Sequence, residues 1–318
     1  MMKTVARNVF TTNWGARILR EDSPLFRPTG YHYGSVWPLF TGWASLAEYQ
    51  CGRPAQGYSH LMNNLVVYRN WGLGFVEEVL NGSEYKPSGV CAHQCWSETM
   101  VVQPAIDGML GLTVNAPGNE LTLAPQLPPQ WDSLRVTGIR VGNQLVSFSF
   151  RRNKGTVVWE FTSSVSEPLK IRFSPALPAG TKIGILTIGG QKITSAAFTS
   201  PDAVTLHTEF ILTGNAVLAL ECQGGIGVVP SVTDPKPGDP PEGLRVISSA
   251  WKEGFYQVET EAPAGSSAML DIWSESRLIA EDATFISAWS GVQRFRVDFE
   301  PAGQKYTVRT VSFTPSGN

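Results

Sequence analysis

Three short clusters between residues 31 and 98 hold the side chains best suited to chemistry. The first, Tyr31-His-Tyr-Gly-Ser-Val-Trp-Pro, puts His32, Ser35 and Trp37 where a loop turns into a helix, with Pro38 suited to the first turn. Helix N-termini offer unpaired N–H groups to a ligand, although a capped helix with a packed Trp explains the same residues. The second, Gly72-Leu-Gly-Phe-Val-Glu-Glu-Val-Leu-Asn-Gly, sets Glu77 and Glu78 in a loop among glycines and aromatic residues rather than on a solvated helical face. Hydrolysis of a glycosidic bond needs one carboxylic acid to protonate the leaving oxygen and one carboxylate on the anomeric side. Adjacent Glu77 and Glu78 cannot form that pair in an extended loop, because successive side chains point in opposite directions. The third cluster is Cys91-Ala-His-Gln-Cys-Trp-Ser-Glu. Its C-x3-C spacing with no second pair favours unreactive thiols over zinc, so no metal and no cofactor is expected. No G-x-S-x-G elbow supports a serine hydrolase.

The elements that must carry these clusters are helical in the first third of the chain. Apolar residues recur at three- and four-residue spacing from Val36 to Tyr49 and from Ala55 to Tyr68, and a third helix is expected from about His93 to Leu110, strained at Pro104. The Gly-rich loop Trp71 to Gly89 lies between the last two, where long loops commonly carry function. From Asn115 the period becomes two, through stretches such as Leu145-Val-Ser-Phe-Ser-Phe and Val157-Val-Trp-Glu-Phe, which predicts an antiparallel β-sandwich ending near Pro230. Asp234-Pro-Lys-Pro-Gly-Asp-Pro-Pro-Glu-Gly reads as a stiff spacer, followed by the strands of a smaller β module. The expected division is therefore a helical segment over 1–115, a sandwich over 116–230, a Pro-rich linker over 231–243 and a small β-sandwich over 244–318.

Composition narrows the partners. With 25 Lys+Arg against 27 Asp+Glu and no basic block, the chain lacks the footprint of a nucleic-acid binder. No stretch of about 18 apolar residues exists, so a membrane span is not expected. Four cysteines at irregular spacing give no disulfide framework. The start, MMKTVARNVFTTNWGAR, has no continuous apolar run, so it does not read as a signal peptide and looks like a chain entered partway through a longer sequence; the compartment stays undetermined. Ten Trp, eight Tyr and fifteen Phe supply ring faces that could stack on sugars, with core packing the alternative for each.

Taken in order, Tyr31-His-Tyr-Gly-Ser-Val-Trp-Pro, Glu78-Val-Leu-Asn-Gly and Cys91-Ala-His-Gln-Cys-Trp-Ser resemble the closing part of the (α/α)6-barrel catalytic domain of amylo-α-1,6-glucosidase, the glycogen-debranching type, over roughly residues 13–131. The resemblance implies a multidomain α + β chain, with a partial (α/α)6 toroid ahead of the β domains. It also implies glycosidase activity on glucan or oligosaccharide bonds, with an α-glucan substrate. Glu78 matches the family's general base; His32 and Trp37, with Gln94, Trp96 and Ser97, match its sugar subsite. The family's acid motif has no match here, which leaves Glu77, Glu98 and Asp22 as candidate second carboxylates, with Asp107 also nearby. A partial barrel would leave apolar helical faces such as Leu61, Leu65 and Val66 uncovered, so a homo-oligomer is expected. The alternative to an enzyme is a truncated, non-catalytic carbohydrate-binding module that uses Trp251, Trp273 and Trp289.

Overall fold

The computed structural model describes residues 2–72 and 74–316; Leu73 of the Trp71–Gly89 loop lies outside them. Proline opens two of the helices as the sequence suggests. After a short α1 (Met2–Val5), α2 (Pro38–Gln50) and α3 (Pro54–Val67) each have proline in the first turn, where its missing N–H costs nothing. The turn between them passes through Gly52 at φ +69°. α4 (Cys95–Gln103) stops at Pro104, and Pro104–Met109 continues as a π-helical turn in which Leu110 N–H reaches back five residues to Ala105 O at 3.1 Å. Proline cannot supply the next α-ladder donor, so the ladder lengthens by a residue.

These helices do not build a toroid. Among the described residues the chain is 44% strand and 15% helical, with four α-helices and no closed ring of helix pairs. The expectation of a partial (α/α)6 toroid is therefore corrected, and the α-glucan expectation, which rested on that barrel, goes with it. The physical reason is visible in the packing. α2 and α3 form one hairpin, and α4 with its π-helical extension crosses it around Tyr49, Leu61 and Met109. Strands and loops, rather than further helices, then cover what remains. Gln56 on α3 donates to Val246 O at 3.1 Å, and Gln126, in the loop between the sandwich strands 120–123 and 133–141, donates to Tyr49 O at 3.1 Å. Leu61 and Val66, expected at an uncovered face, are buried within the chain. On the helices and the π-helical turn the exposed large apolar side chains are instead Trp43, Trp96, Val102 and Ile106.

Period-two alternation builds the middle of the chain. One sheet runs in the order 191–192, 182–188, 215–223, 156–163, 144–153, 133–141, antiparallel throughout. The facing sheet runs 196–199, 203–212, 169–173, 120–123, 113–115. Its pairing of 120–123 with 169–173 is parallel, a departure from the purely antiparallel sandwich expected, because the intervening strands belong to the opposite sheet. Phe148, Trp159, Phe161 and Phe173 meet edge-on or tilted between the sheets, the arrangement aromatic quadrupoles favour. Two four-stranded sheets follow: 226–228, 267–274, 292–298, 284–289, and 245–252, 255–263, 306–315, 278–280. They close on a separate core of Tyr256, Leu270, Phe295 and Phe313.

The Pro-rich stretch is tied down as a strap. Asn13 N–H donates to Pro241 O, Tyr85 N–H to Asp239 O and Gly238 N–H to Tyr85 O, at 3.0 to 3.2 Å. Arg245, fully enclosed, donates to Thr11 O, Asn13 Oδ1 and Pro241 O. Its proline carbonyls thus serve as acceptors for the helical part, a use that composition cannot reveal.

Candidate functional site

Main-chain hydrogen bonds bring the three sequence clusters into one place. Val36 lies between two partners: it exchanges N–H···O bonds with Leu80 at 2.8 and 2.9 Å, while its neighbours bond Ala16 and Ile18 on the other side at 3.1 and 3.0 Å. The glutamate loop then runs beside the cysteine cluster, Glu78 N–H to Cys91 O at 2.9 Å and Gln94 N–H to Val76 O at 3.2 Å. Each buried backbone group is thereby satisfied although the segment is neither helix nor regular sheet.

The corner requires glycine at two positions. A Cβ on Gly82 would stand 2.0 Å from Gly34 O, and Gly34, at φ +152°, has the Phe26 ring where its own Cβ would be. The Arg17 guanidinium, buried, holds the same corner by donating to Gly82 O at 2.7 Å and Asn8 O at 2.6 Å, with Glu21 as counter-ion at 2.9 Å. Trp14, wholly buried, donates from Nε1 to Asn81 O at 2.9 Å and packs on Tyr85.

On this frame the Tyr31 hydroxyl donates to Glu78 Oε1 at 2.5 Å. Glu78 is only 6% exposed. The bond to its carboxylate, with burial and the charge itself adding, pushes the Tyr31 hydroxyl up to about 12, so the donor stays protonated across the neutral range. Rings pack around the tyrosine. Trp37 meets Tyr31 edge-on at 4.5 Å and donates from Nε1 to Tyr31 O, and His32 stacks on Trp37 at 5.9 Å. Phe40 and Trp43 extend the row at three-residue spacing along α2, out to the exposed Trp43.

The other expected site residues fall around this centre unequally. Gln94 caps α4 and joins the loop through its main chain, Trp96 is exposed two residues on, and Ser97 is buried. Glu77 is as buried as Glu78, and burial raises its carboxyl above the ordinary range. Glu98 sits in the first turn of α4 with its carboxylate 3.0 Å from His93 Nε2, while Phe75 packs on that His ring at 4.2 Å. Asp107 accepts from Gln103 on the exposed side of the π-helical turn. Asp22 stands apart, paired with Arg20 in an open hollow of about 730 Å³ whose lining includes Arg7, Phe26 and Tyr306 but not Glu78. Cys91 Sγ bonds His93 O at 3.1 Å, and no group of three metal-capable side chains occurs among the described residues. Tyr31 is the residue of this centre that motif reading passed over. Its signal was a hydroxyl at the head of the first cluster, which only the Val36–Leu80 pairing aims at Glu78.

Comparison with known proteins adds little to this geometry. No family model matches the sequence, and no curated protein matches it. Among solved structures the chain is similar to a GH127 beta-L-arabinofuranosidase from Geobacillus Stearothermophilus T6, at 10% identity and a TM-score of 0.37, over 99% of this chain and 53% of that one. It is also similar to a structure described as a glycoside hydrolase, at 11% identity and a TM-score of 0.35, over 88% of this chain and 51% of that one. The chain thus spans about half the length of the structures it matches. No described helix is long and apolar enough to cross a membrane.

Proposed function

We propose that the chain carries the water-activating side of a glycoside-hydrolase site, with Glu78 as the general base. The observation that carries this reading is the buried Glu78 carboxylate, oriented by Tyr31, whose own ring is packed by Trp37 and His32. One oxygen is held by the phenol, which fixes the rotamer and leaves the other to take a proton from water. The exposed His32 ring, backed by the buried Trp37, supplies a flat surface on which a sugar ring can stack, while the exposed Trp96 offers a second one.

In the inverting reaction this implies, Glu78 deprotonates a water that attacks the anomeric carbon, the bond to the leaving oxygen breaks, and a carboxylic acid on the far side protonates that oxygen. Such pairs stand about 6.5–9.5 Å apart. Glu98, in the first turn of the helix that opens at the loop-bound Gln94, is the candidate for the acid; Glu77, adjacent to Glu78, serves as the comparison, and Asp22 faces a different hollow. The substrate is an oligo- or polysaccharide.

The test is hydrolysis of a panel of aryl glycosides and soluble glycans by the parent chain and by Glu78→Gln, Glu77→Gln and Glu98→Gln. Glu78→Gln should abolish turnover while sugar binding, read by calorimetry, persists. Turnover unaffected by Glu78→Gln, or none in the parent chain on any substrate of the panel, would refute the assignment.

A further inference from the structure

Three tryptophans of the β regions could hold a glycan, and the fold treats them differently. Trp251 is half-buried against Gly180, whose added Cβ would meet the indole at 3.1 Å, and Trp273 is buried beneath the Arg152 guanidinium. Trp289 is 45% exposed. We propose that Trp289 is the stacking platform of a second carbohydrate site, on the outer face of the sheet formed by 267–274, 292–298 and 284–289, and that its ligand is a neutral polysaccharide.

An exposed indole gains nothing in folding from being held still, yet this one is held. Arg294 Cζ lies 4.9 Å from the centre of its ring, and Arg294 itself is clamped by Asp271 through two bonds of 2.8 Å. The bidentate clamp makes a rigid base for one face of the ring and leaves the other to solvent. A large apolar ring fixed in advance loses little further freedom on binding, which is why tryptophan dominates binding surfaces.

Strand register extends the platform into a polar track. Asp271, Arg294 and Ser287 lie opposite one another in one row; Met269, Arg296 and Thr284 form the next; Ser267 and Asp298 form the third. From Val292, the partner of Trp289, to Asp298 the strand covers roughly 20 Å. The charges along it cancel in pairs, Asp271 with Arg294 and Asp298 with Arg296. A face with hydroxyls and paired charges but no net sign suits uncharged sugar hydroxyls better than a polyanion. The same strand, Thr284–Trp289, is a sheet edge and could instead pair with a second copy of the chain, an outcome the test separates.

The experiment is affinity electrophoresis of the full chain in native gels containing soluble xylan, linear arabinan, galactomannan or mixed-linkage β-glucan. The panel is repeated with Trp289→Ala, Trp289→Phe, Trp96→Ala and Glu78→Gln, and a urea unfolding curve confirms that each variant is folded. At least one polysaccharide should retard the parent chain; Trp289→Ala should weaken that retardation roughly tenfold or more, Trp289→Phe should keep part of it, and Glu78→Gln should keep all of it. Glu78→Gln removes turnover of the polysaccharide without removing sugar binding at the catalytic centre, so retardation lost in a Trp96→Ala variant and kept in Trp289→Ala would place the binding at that centre and overturn the proposal. So would retardation by none of the polysaccharides, retardation unchanged in Trp289→Ala, or a dimer in sedimentation equilibrium that Trp289→Ala dissociates.

Discussion

The Tyr31 hydroxyl donates to Glu78 Oε1 at 2.5 Å, and the two residues belong to segments joined by the reciprocal Val36–Leu80 bonds. A hydrogen bond to a charged group contributes about 1.5–3 kcal/mol, and here it also fixes which way the carboxylate faces. Tyr31→Phe removes the donor and keeps the ring that packs on Trp37. The expected result is a fall in kcat of about tenfold to a hundredfold, with KM nearly unchanged and the fold intact, because 1.4 kcal/mol is about one decade in rate. Steady-state kinetics beside a thermal melt would check it.

Gly82→Ala should be far more damaging than its size suggests. The added Cβ would meet Gly34 O at 2.0 Å, and the neighbour is backbone with no rotamer to yield. The corner would have to open, separating the segment that carries Tyr31 and Trp37 from the loop that carries Glu78. We expect a drop of more than about 3 kcal/mol in urea unfolding together with loss of activity. Gly52→Ala makes a suitable control: φ is +69° but nothing lies within 4 Å of the new Cβ, so the cost should stay near 1 kcal/mol.

Glu48 makes stability depend on pH. Its side chain on α2 is wholly buried, with Oε2 paired to Arg53 and Oε1 without a partner, and burial, only partly offset by Arg53, pushes its carboxyl up to about 7. Its folded value lies above the ordinary value of 4.5, so its contribution is fully present below about 4.5 and is lost as pH rises through about 7. Glu48→Gln cannot ionise. Relative to this variant the parent chain should lose stability between pH 5 and pH 8, read from urea midpoints at the two values; an unchanged difference would show that Arg53 fully compensates the charge.

The strap depends on Asn13. Its Oδ1 accepts from Arg245 at 2.8 Å, and its amide donates to Glu242 O at 3.0 Å. Asn13→Ala leaves the buried Arg245 guanidinium one acceptor short, at a cost of about 1–3 kcal/mol. Limited proteolysis should then cut within 231–243 faster than in the parent chain, because local opening exposes the Pro-rich segment ahead of global unfolding.

Local rules account for much of what was legible in the sequence. Proline in the first turns set the starts of α2 and α3, and period-two alternation through residues such as Phe148 and Trp159 announced the sandwich. Both signals depend on neighbours a few residues away, which a linear chain displays. The toroid was read from motif order, and order says nothing about how many helix pairs stand side by side; the β regions and the strap cover the helices instead. Equally, Glu78 could be picked out as a loop carboxylate, but not its donor. Tyr31 and Glu78 are 47 residues apart, and their contact is produced by the pairing of Val36 with Leu80 and by the room that Gly34 and Gly82 leave for each other. The same holds for Trp251, Trp273 and Trp289, which are one residue type in the sequence. Register sets Trp273 and Trp289 in one row on either side of Val292; the Arg152 guanidinium from the sandwich covers the first, and the second stays in solvent on a clamped arginine, because such packing joins strands far apart in the chain and no single strand contains it.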